Sequence, residues 1–343
     1  MTLRKFSYSH LALKVAGAAL IGACSLLPAY AQTGATEKAA QEDWRTFMAL
    51  NPAMLEGCYQ ASYPSIAWEP VECKELHPRV RPVLHKVMKG DRLIVGNGDD
   101  YVAQASGLIS STHGTFPTAT GITSEKSVGV PLFGDGGILG ANEYSLQINS
   151  NYTGTTSACA SHSGCTVWQQ FVYATDYAQK GEAAVFIEYW LIGWGSSSCP
   201  SGWESDGGGD CVVNSNYVSA PDVKPTSLAS ESLTGTVVSG GNDTVTFNNG
   251  TTAYSLNAKD SVVYLSQVWK QSEFNIVGDA GGSRADFNKP VSVKVKIALT
   301  DGSTSAPTCV SNAGSTGETN NLTLGSCSGT SGSSPYIQFT ESN

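Results

Sequence analysis

Hydrophobic and polar positions alternate in short runs through most of the chain after residue 94. Runs rich in β-branched and aromatic residues are separated by Gly, Ser, Asn and Asp. Eight of them read YVAQASGLIS, YSLQINSNY, TVWQQFVYA, AVFIEYWLIGW, DTVTFNN, SVVYLSQVW, SEFNIVG and VSVKVKIAL. Alternation with a period of two is typical of β-strands that bury one face. The pattern predicts an all-β antiparallel β-sandwich over residues 95–343, with no long helix in it.

The first 31 residues predict an export signal. A basic start precedes an apolar run that ends in Ala29-Tyr30-Ala31, which has the small-x-small form of a cleavage site. Pro28 interrupts this run, and the run is too short for a typical membrane-spanning helix. We therefore predict a secreted protein without a membrane span. The stretch Ile21-Gly22-Ala23-Cys24 also resembles a lipobox, so a lipid anchor at Cys24 is the alternative.

Residues 32–94 differ in character from the rest of the chain. The stretch 40–56 has helical composition, and Pro52 limits the length of that helix. Residues 73–92 contain six basic and two acidic residues, whereas residues 93–343 contain nine basic and 21 acidic ones. This contrast predicts that 32–94 form a propeptide whose basic end covers an acidic groove near neutral pH. A small N-terminal subdomain that stays attached is the alternative.

Cysteine usage agrees with export. Nine cysteines less Cys24 leave eight, which fall into near neighbours along the chain. Sequential pairing is one of 105 possible connectivities, and it predicts four local disulfides. The expected pairs are Cys58 with Cys73, Cys159 with Cys165, Cys199 with Cys211, and Cys309 with Cys327.

Composition and motifs disfavour several classes of function. The chain has no CxxC motif and no histidine at zinc-ligand spacing, and its glycine-rich stretch 134–140 lacks the lysine of a phosphate-binding loop. We therefore expect no metal and no cofactor. The acidic surface predicts no nucleic-acid partner, because binding the phosphate backbone needs cations. We expect a monomer.

Strand parity suggests a binding groove. Side chains alternate between the two faces of a strand, so Glu273 and Phe274 point to opposite sides. Glu188 shares its face with aromatic residues, and so does Gln169, whereas Gln170 points the other way. Faces that combine aromatic rings with one acid or amide are typical of a concave binding site. We expect Gln169, Glu188 and Glu273 to line one groove.

These runs together resemble a known family. The ordered series YSLQINSNY, VWQQFVY, VFIEYWLIGW and SEFNIVGD is similar to the strand series of the eqolisins, the glutamic peptidases, and FNKPVSVKV is similar to their Phe-x-Pro-Ala-Val strand. The resemblance implies a concanavalin A-like (jelly-roll) fold. It implies that Glu273 is the catalytic glutamate and Gln169 the catalytic glutamine, with Gln170 as the alternative amide. Glu188 takes a supporting or substrate-binding place.

The activity implied by the resemblance is hydrolysis of polypeptides at acidic pH. The glutamate activates a water molecule as a general base, and the glutamine amide stabilises the negative oxygen of the tetrahedral intermediate. Two other functions stay open. One is a non-catalytic lectin-like module whose aromatic rings stack on sugars. The other is a glycoside hydrolase in which Glu188 and Glu273 face each other. A Ser-His-Asp triad is disfavoured, because His113 and His162 fall in stretches predicted to be loops.

Overall fold

The computed structural model describes residues 29–76, 100–129, 140–195, 198–206, 208–279, 283–311 and 318–343. The predicted signal peptide up to residue 28, with Cys24, lies outside the described residues, and so does most of the predicted basic stretch. Residues 41–343 form one compact unit.

One α-helix and twenty strands make up most of the described structure. The helix, α1, spans Ala29–Leu50. The first ten strands are β1 (Gly57–Ser62), β2 (Glu69–Val71), β3 (Tyr101–Gln104), β4 (Ser111–Thr120), β5 (Glu125–Gly129), β6 (Tyr144–Ser150), β7 (Thr166–Gln179), β8 (Glu182–Ile192), β9 (Glu204–Ser205) and β10 (Cys211–Ala220). The other ten are β11 (Ser232–Thr236), β12 (Asn242–Asn248), β13 (Thr252–Lys259), β14 (Gln271–Gly278), β15 (Ser283–Phe287), β16 (Ser292–Thr300), β17 (Thr308–Ser311), β18 (Thr319–Asn320), β19 (Thr323–Thr330) and β20 (Tyr336–Ser342).

Two large sheets pack face to face. The larger sheet has nine strands in the order β19-β20-β16-β4-β11-β12-β13-β1-β2, and the second has eight in the order β17-β3-β14-β6-β7-β8-β10-β9. Their strand pairs are antiparallel, and a small third sheet has the order β18-β15-β5. Strands β11, β12 and β13 of the larger sheet contact β6, β7 and β8 of the second. The prediction of an all-β antiparallel sandwich is confirmed.

The alternation of the sequence decides which side chains fill the space between the sheets. Phe274 of β14 and Phe171 of β7 are fully buried there. Their rings lie against Gly114 of β4 and Gly235 of β11, where a Cβ atom would overlap each ring. Glycine at these two positions therefore allows the sheets to approach closely. Because Phe274 points inward, the side chain of its neighbour Glu273 points to the outer face of the eight-stranded sheet.

The N-terminal segment is part of the sandwich from residue 41 onward. Trp44 and Met48 of α1 pack on Ala61 and Ala253. Strand β1 pairs with β13 along its whole length and extends the nine-stranded sheet. The predicted helix over 40–56 is present, and it ends at Leu50, just before Pro52. The predicted removal of residues 32–94 would thus take β1 and β2 out of a sheet.

Two predictions about local secondary structure are wrong. The run over 261–269 forms no strand; it contains two short 3₁₀ helices, Asp260–Val262 and Leu265–Gln267. The buried carboxylate of Asp260 accepts hydrogen bonds from the amide and the hydroxyl of Ser266, and such local bonds compete with sheet pairing. His113 lies within strand β4, not in a loop.

All four predicted disulfides are present: Cys58–Cys73, Cys159–Cys165, Cys199–Cys211 and Cys309–Cys327. The last joins β17 of the eight-stranded sheet to β19 of the nine-stranded sheet. Four disulfides are typical of proteins that mature in an oxidising compartment. In the described part of the chain, no helix has both the length and the apolar character needed to cross a bilayer.

Candidate active site

A row of polar side chains crosses the outer face of the eight-stranded sheet. Its members are Glu273, Asn149, Gln170, Glu188 and Asn214, and each is paired with the next across neighbouring strands, from β14 through β6, β7 and β8 to β10. Directly paired residues point to the same side of a sheet. The first four members are at most 3% exposed. We call this set the outer-face row.

Amides link the members of this row. The Nδ2 atom of Asn149 donates to Oε2 of Glu273 at 3.2 Å. The Nε2 atom of Gln170 donates to Oδ1 of Asn149 at 2.9 Å and to Oε1 of Gln147 at 3.1 Å. Because Gln170 holds the carbonyl end of the Asn149 amide, the N–H end of that amide faces Glu273. The acid is therefore in contact with an oriented hydrogen-bond donor.

Gln169 lies on the other face of β7. Its Nε2 atom donates to Oδ2 of Asp243 on β12 at 2.9 Å, between the two sheets. Burial, and next the neighbouring Asp260, raise the pKa of Asp243 well above its usual value. The expected position of Gln169 beside Glu273 is thus corrected, and Gln170 occupies that face. The cause is the register of β6 and β7, which aligns Gln170 with Asn149.

Glu188 lies on the outer face together with Phe186 and Trp190, as strand parity predicts. Its Oε1 atom accepts a hydrogen bond from Nε1 of Trp190 at 2.8 Å. Burial raises the pKa of Glu188 to about 8, against the lowering effect of this hydrogen bond. Trp190 also packs on Trp168, with 5.9 Å between ring centroids, and neither ring is exposed. A lectin-like module would need these rings open to solvent, and a peptidase would need the same of Glu273 and Gln170; all four side chains are buried.

Several buried polar atoms on the outer face, among them both of Asn214, have no partner in the part of the chain that the structure describes. Two of them lie on β7: Oε1 of Gln170, a hydrogen-bond acceptor, and Nε1 of Trp168, a donor. Both residues belong to β7 and are two positions apart, so their side chains lie on the same face. Buried polar groups are normally satisfied. An acceptor and a donor side by side match the N–H and C=O groups of a peptide.

A second carboxyl group lies beside Glu273. Asp100, directly before β3, is fully buried, and burial and next the charge of Glu273 raise its pKa well above its usual value. Asn275, which also lies on the outer face of β14, donates from Nδ2 to Oδ1 of Asp100 and to Oε2 of Glu341, the latter at 3.1 Å. The acid of the row is thus flanked by an amide on one side and an acid on the other.

Sequence reasoning missed Asn149 and Asp100. A signal for Asn149 was present, because in YSLQINSNY the amides of Gln147 and Asn149 alternate with Leu146 and Ile148. For Asp100 no local signal exists, since Asp-Asp before a strand has the composition of a turn.

The backbones of Glu188 and Glu273 are three strands apart, which is roughly 14 Å at the usual spacing of neighbouring strands. The two carboxyl groups of glycoside hydrolases are about 5 to 10 Å apart. The geometry therefore disfavours that reaction. Among the described residues, no group of three or more His, Cys, Asp and Glu side chains is placed to hold a metal ion.

Comparisons with known proteins add little to this geometry. No family model matches the chain, and no curated protein matches it. One solved structure is similar: SCP-B, a member of the eqolisin family of peptidases, in a complex with the tripeptide Ala-Ile-His. It is 12% identical, with 72% of this chain and 98% of that chain covered, and the TM-score is 0.24. A likeness this weak supports no inference about function.

Proposed function

We propose that this protein is an endopeptidase in which Glu273 activates water on the outer face of the eight-stranded sheet. The observation that carries the proposal is the hydrogen bond from Asn149 to Glu273, which places a general base beside an amide donor. Hydrolysis of a peptide bond needs both groups, one for the water and one for the carbonyl oxygen.

The steps assign a role to each side chain. The carboxylate of Glu273 takes a proton from water while the water oxygen bonds to the peptide carbon. Nδ2 of Asn149 turns its second hydrogen, which makes only a long contact of 3.5 Å to Oε1 of Gln147, toward the oxygen that becomes negative. The C–N bond then breaks, and the proton on Glu273 passes to the leaving amine nitrogen. No net proton stays on the enzyme.

The role proposed for Gln170 differs from the one that the resemblance implies for the catalytic glutamine. Both its hydrogen bonds as a donor are already used, to Asn149 and Gln147, so it orients Asn149. Its unpartnered Oε1 can accept from a substrate N–H, and Nε1 of Trp168 can donate to a substrate C=O. Gln170 lies two strand spacings from Glu273, about 10 Å, a distance that three extended residues span. A substrate of several residues therefore fits better than a dipeptide.

Acid proteolysis of a denatured protein by the wild type and by Glu273→Gln tests the proposal. We expect the variant to lose at least about a hundredfold in kcat, the usual contribution of general base catalysis. Glu231→Gln is the matched control, because Glu231 is an equally buried glutamate away from the outer face. If Glu273→Gln digested the substrate as fast as the control, the proposal would be wrong.

A further inference from the structure

Asp100 is placed by the same strand pairing that places Glu273. Strand β3 pairs with β14 so that Val102 lies opposite Glu273. Asp100 is two positions before Val102 and therefore shares its face. This brings Asp100 next to Asn275, which donates to its Oδ1 atom, and makes it a diagonal neighbour of Glu273 on the same face, within reach of that carboxyl group. This proximity thus follows from the register of two paired strands.

We propose that Asp100 is a positioning residue that shares one proton with Glu273 and so sets the upper pH limit of the reaction. This inference rests on the proposed function. Two carboxyl groups in contact in a buried site do not both ionise readily, so one keeps its proton and donates it to the other. The protonated Asp100 then holds Glu273 in its carboxylate form, which is the form that accepts a proton from water.

The surroundings of Asp100 favour its protonated form. Burial, then Glu273, then Glu341 raise the pKa of Asp100 well above its usual value, and the hydrogen bond from Asn275 lowers it by less. Glu341 reaches the pair from β20, and Tyr152 reaches it from the segment after β6. Burial and Glu273 raise the pKa of Tyr152 to about 12, so this phenol stays neutral. The pair therefore carries one proton over an intermediate pH range.

The two carboxyl groups hold different protons during the reaction. The proton that moves from water to Glu273 and on to the amine is not the proton of Asp100, which stays on Asp100 throughout. Above the pH at which Asp100 ionises, the pair carries two charges and loses its internal donor. Activity should then fall even though Glu273 is still a carboxylate.

The pH dependence of kcat/KM in Asp100→Asn tests this role. Asparagine keeps the shape of the side chain and cannot ionise, so the fall of activity at high pH should move up by about one pH unit or more, the coupling expected of interacting carboxyls. Asp243→Asn is the matched control: it removes one acid of a buried acid pair between the sheets and should leave the profile unchanged. Fluorescence at each pH confirms that both variants are folded. An unmoved upper limit in Asp100→Asn would overturn the inference.

A measurement without substrate separates this inference from the proposed function. The carboxyl carbon of Asp100, labelled with ¹³C and assigned through its backbone, is titrated by NMR in the wild type and in Glu273→Gln. Because Glu273 raises the pKa of Asp100, the titration midpoint should fall in the variant. An unchanged midpoint would show that the two groups share no proton, whatever the activity. If the midpoint falls but Glu273→Gln still digests protein, the pair exists and the proposed function fails.

Discussion

Gln169 and Gln170 are consecutive in β7, yet their amides form hydrogen bonds on opposite sides of the sheet. Gln169 donates to Asp243 between the two sheets, and Gln170 donates to Asn149 on the outer face. Substitution at the first position should affect the fold, and substitution at the second should affect the reaction.

The paired substitutions Gln169→Met and Gln170→Met test this separation, because methionine keeps the shape and removes the amide. Gln169→Met leaves the carboxyl of Asp243 without its donor and should lower the free energy of unfolding by about 1–3 kcal/mol. Gln170→Met releases Asn149 and should lower kcat at least about tenfold, equivalent to roughly 1.4 kcal/mol. Urea denaturation and steady-state kinetics are measured on both. If Gln169→Met lowered kcat and Gln170→Met lowered only stability, Gln169 would be the catalytic glutamine.

Asn149 should matter more than Gln170, because its Nδ2 atom is the donor that contacts Glu273. Asn149→Leu removes this donor and should lower kcat by about 10²- to 10³-fold, the usual effect of losing one oxyanion donor. KM should change little, since the interaction strengthens only in the transition state. Steady-state kinetics at one fixed acidic pH measure kcat and KM separately and test this expectation. A change confined to KM would show that Asn149 only binds substrate.

Stability should fall as the pH rises from acid to neutral. Burial raises the pKa of Glu231 to about 8 and that of Glu125 to about 9, from ordinary values of 4.5. Below pH 4.5 both groups are neutral in the folded and the unfolded chain, and their contribution is fully present. As the pH rises toward 8, the unfolded chain loses protons that the folded chain keeps. Each group then lowers the free energy of unfolding by about 1.4 kcal/mol per pH unit.

Melting temperatures between pH 4 and 8 measure this decline, and Glu231→Gln provides the comparison. Glutamine can still accept the hydrogen bond that the Tyr144 hydroxyl donates to Oε2 of Glu231 at 2.8 Å, but it does not titrate. The decline should therefore be shallower in the variant. A wild-type melting temperature that rises toward pH 8 would contradict the assignment.

The segment from residue 41 to 76 should contribute to the stability of the sandwich. Met48 is fully buried against Trp44, Ala61 and Ala253, so Met48→Ala should cost about 2–5 kcal/mol through the cavity it leaves. Leu50→Ala, at a position that is 59% exposed, should change stability by less than about 0.5 kcal/mol. Urea denaturation compares the two. Equal, small effects would support a removable propeptide.

The sequence predicts which residues of one strand share a face, because that depends only on alternation. Glu188 lies with Trp190, and Glu273 lies opposite Phe274, for this reason. Which face of β7 accompanies Glu273 depends instead on the register between strands that are distant in sequence. A shift of one residue exchanges Gln169 for Gln170, and no local pattern fixes it. Asp100 likewise reaches Glu273 only through the pairing of β3 with β14.

Near its isoelectric point, about pH 5, the protein carries little net charge and copies repel each other weakly, so open sheet edges become the place where copies can join strand to strand. The Cys309–Cys327 bridge ties one edge strand of each sheet to the other, and the opposite edges end in the short strands β2 and β9. This bridge should therefore protect against aggregation in acid more than it stabilises the core. Replacing both cysteines with serine should produce turbidity at low pH before it lowers the melting temperature appreciably.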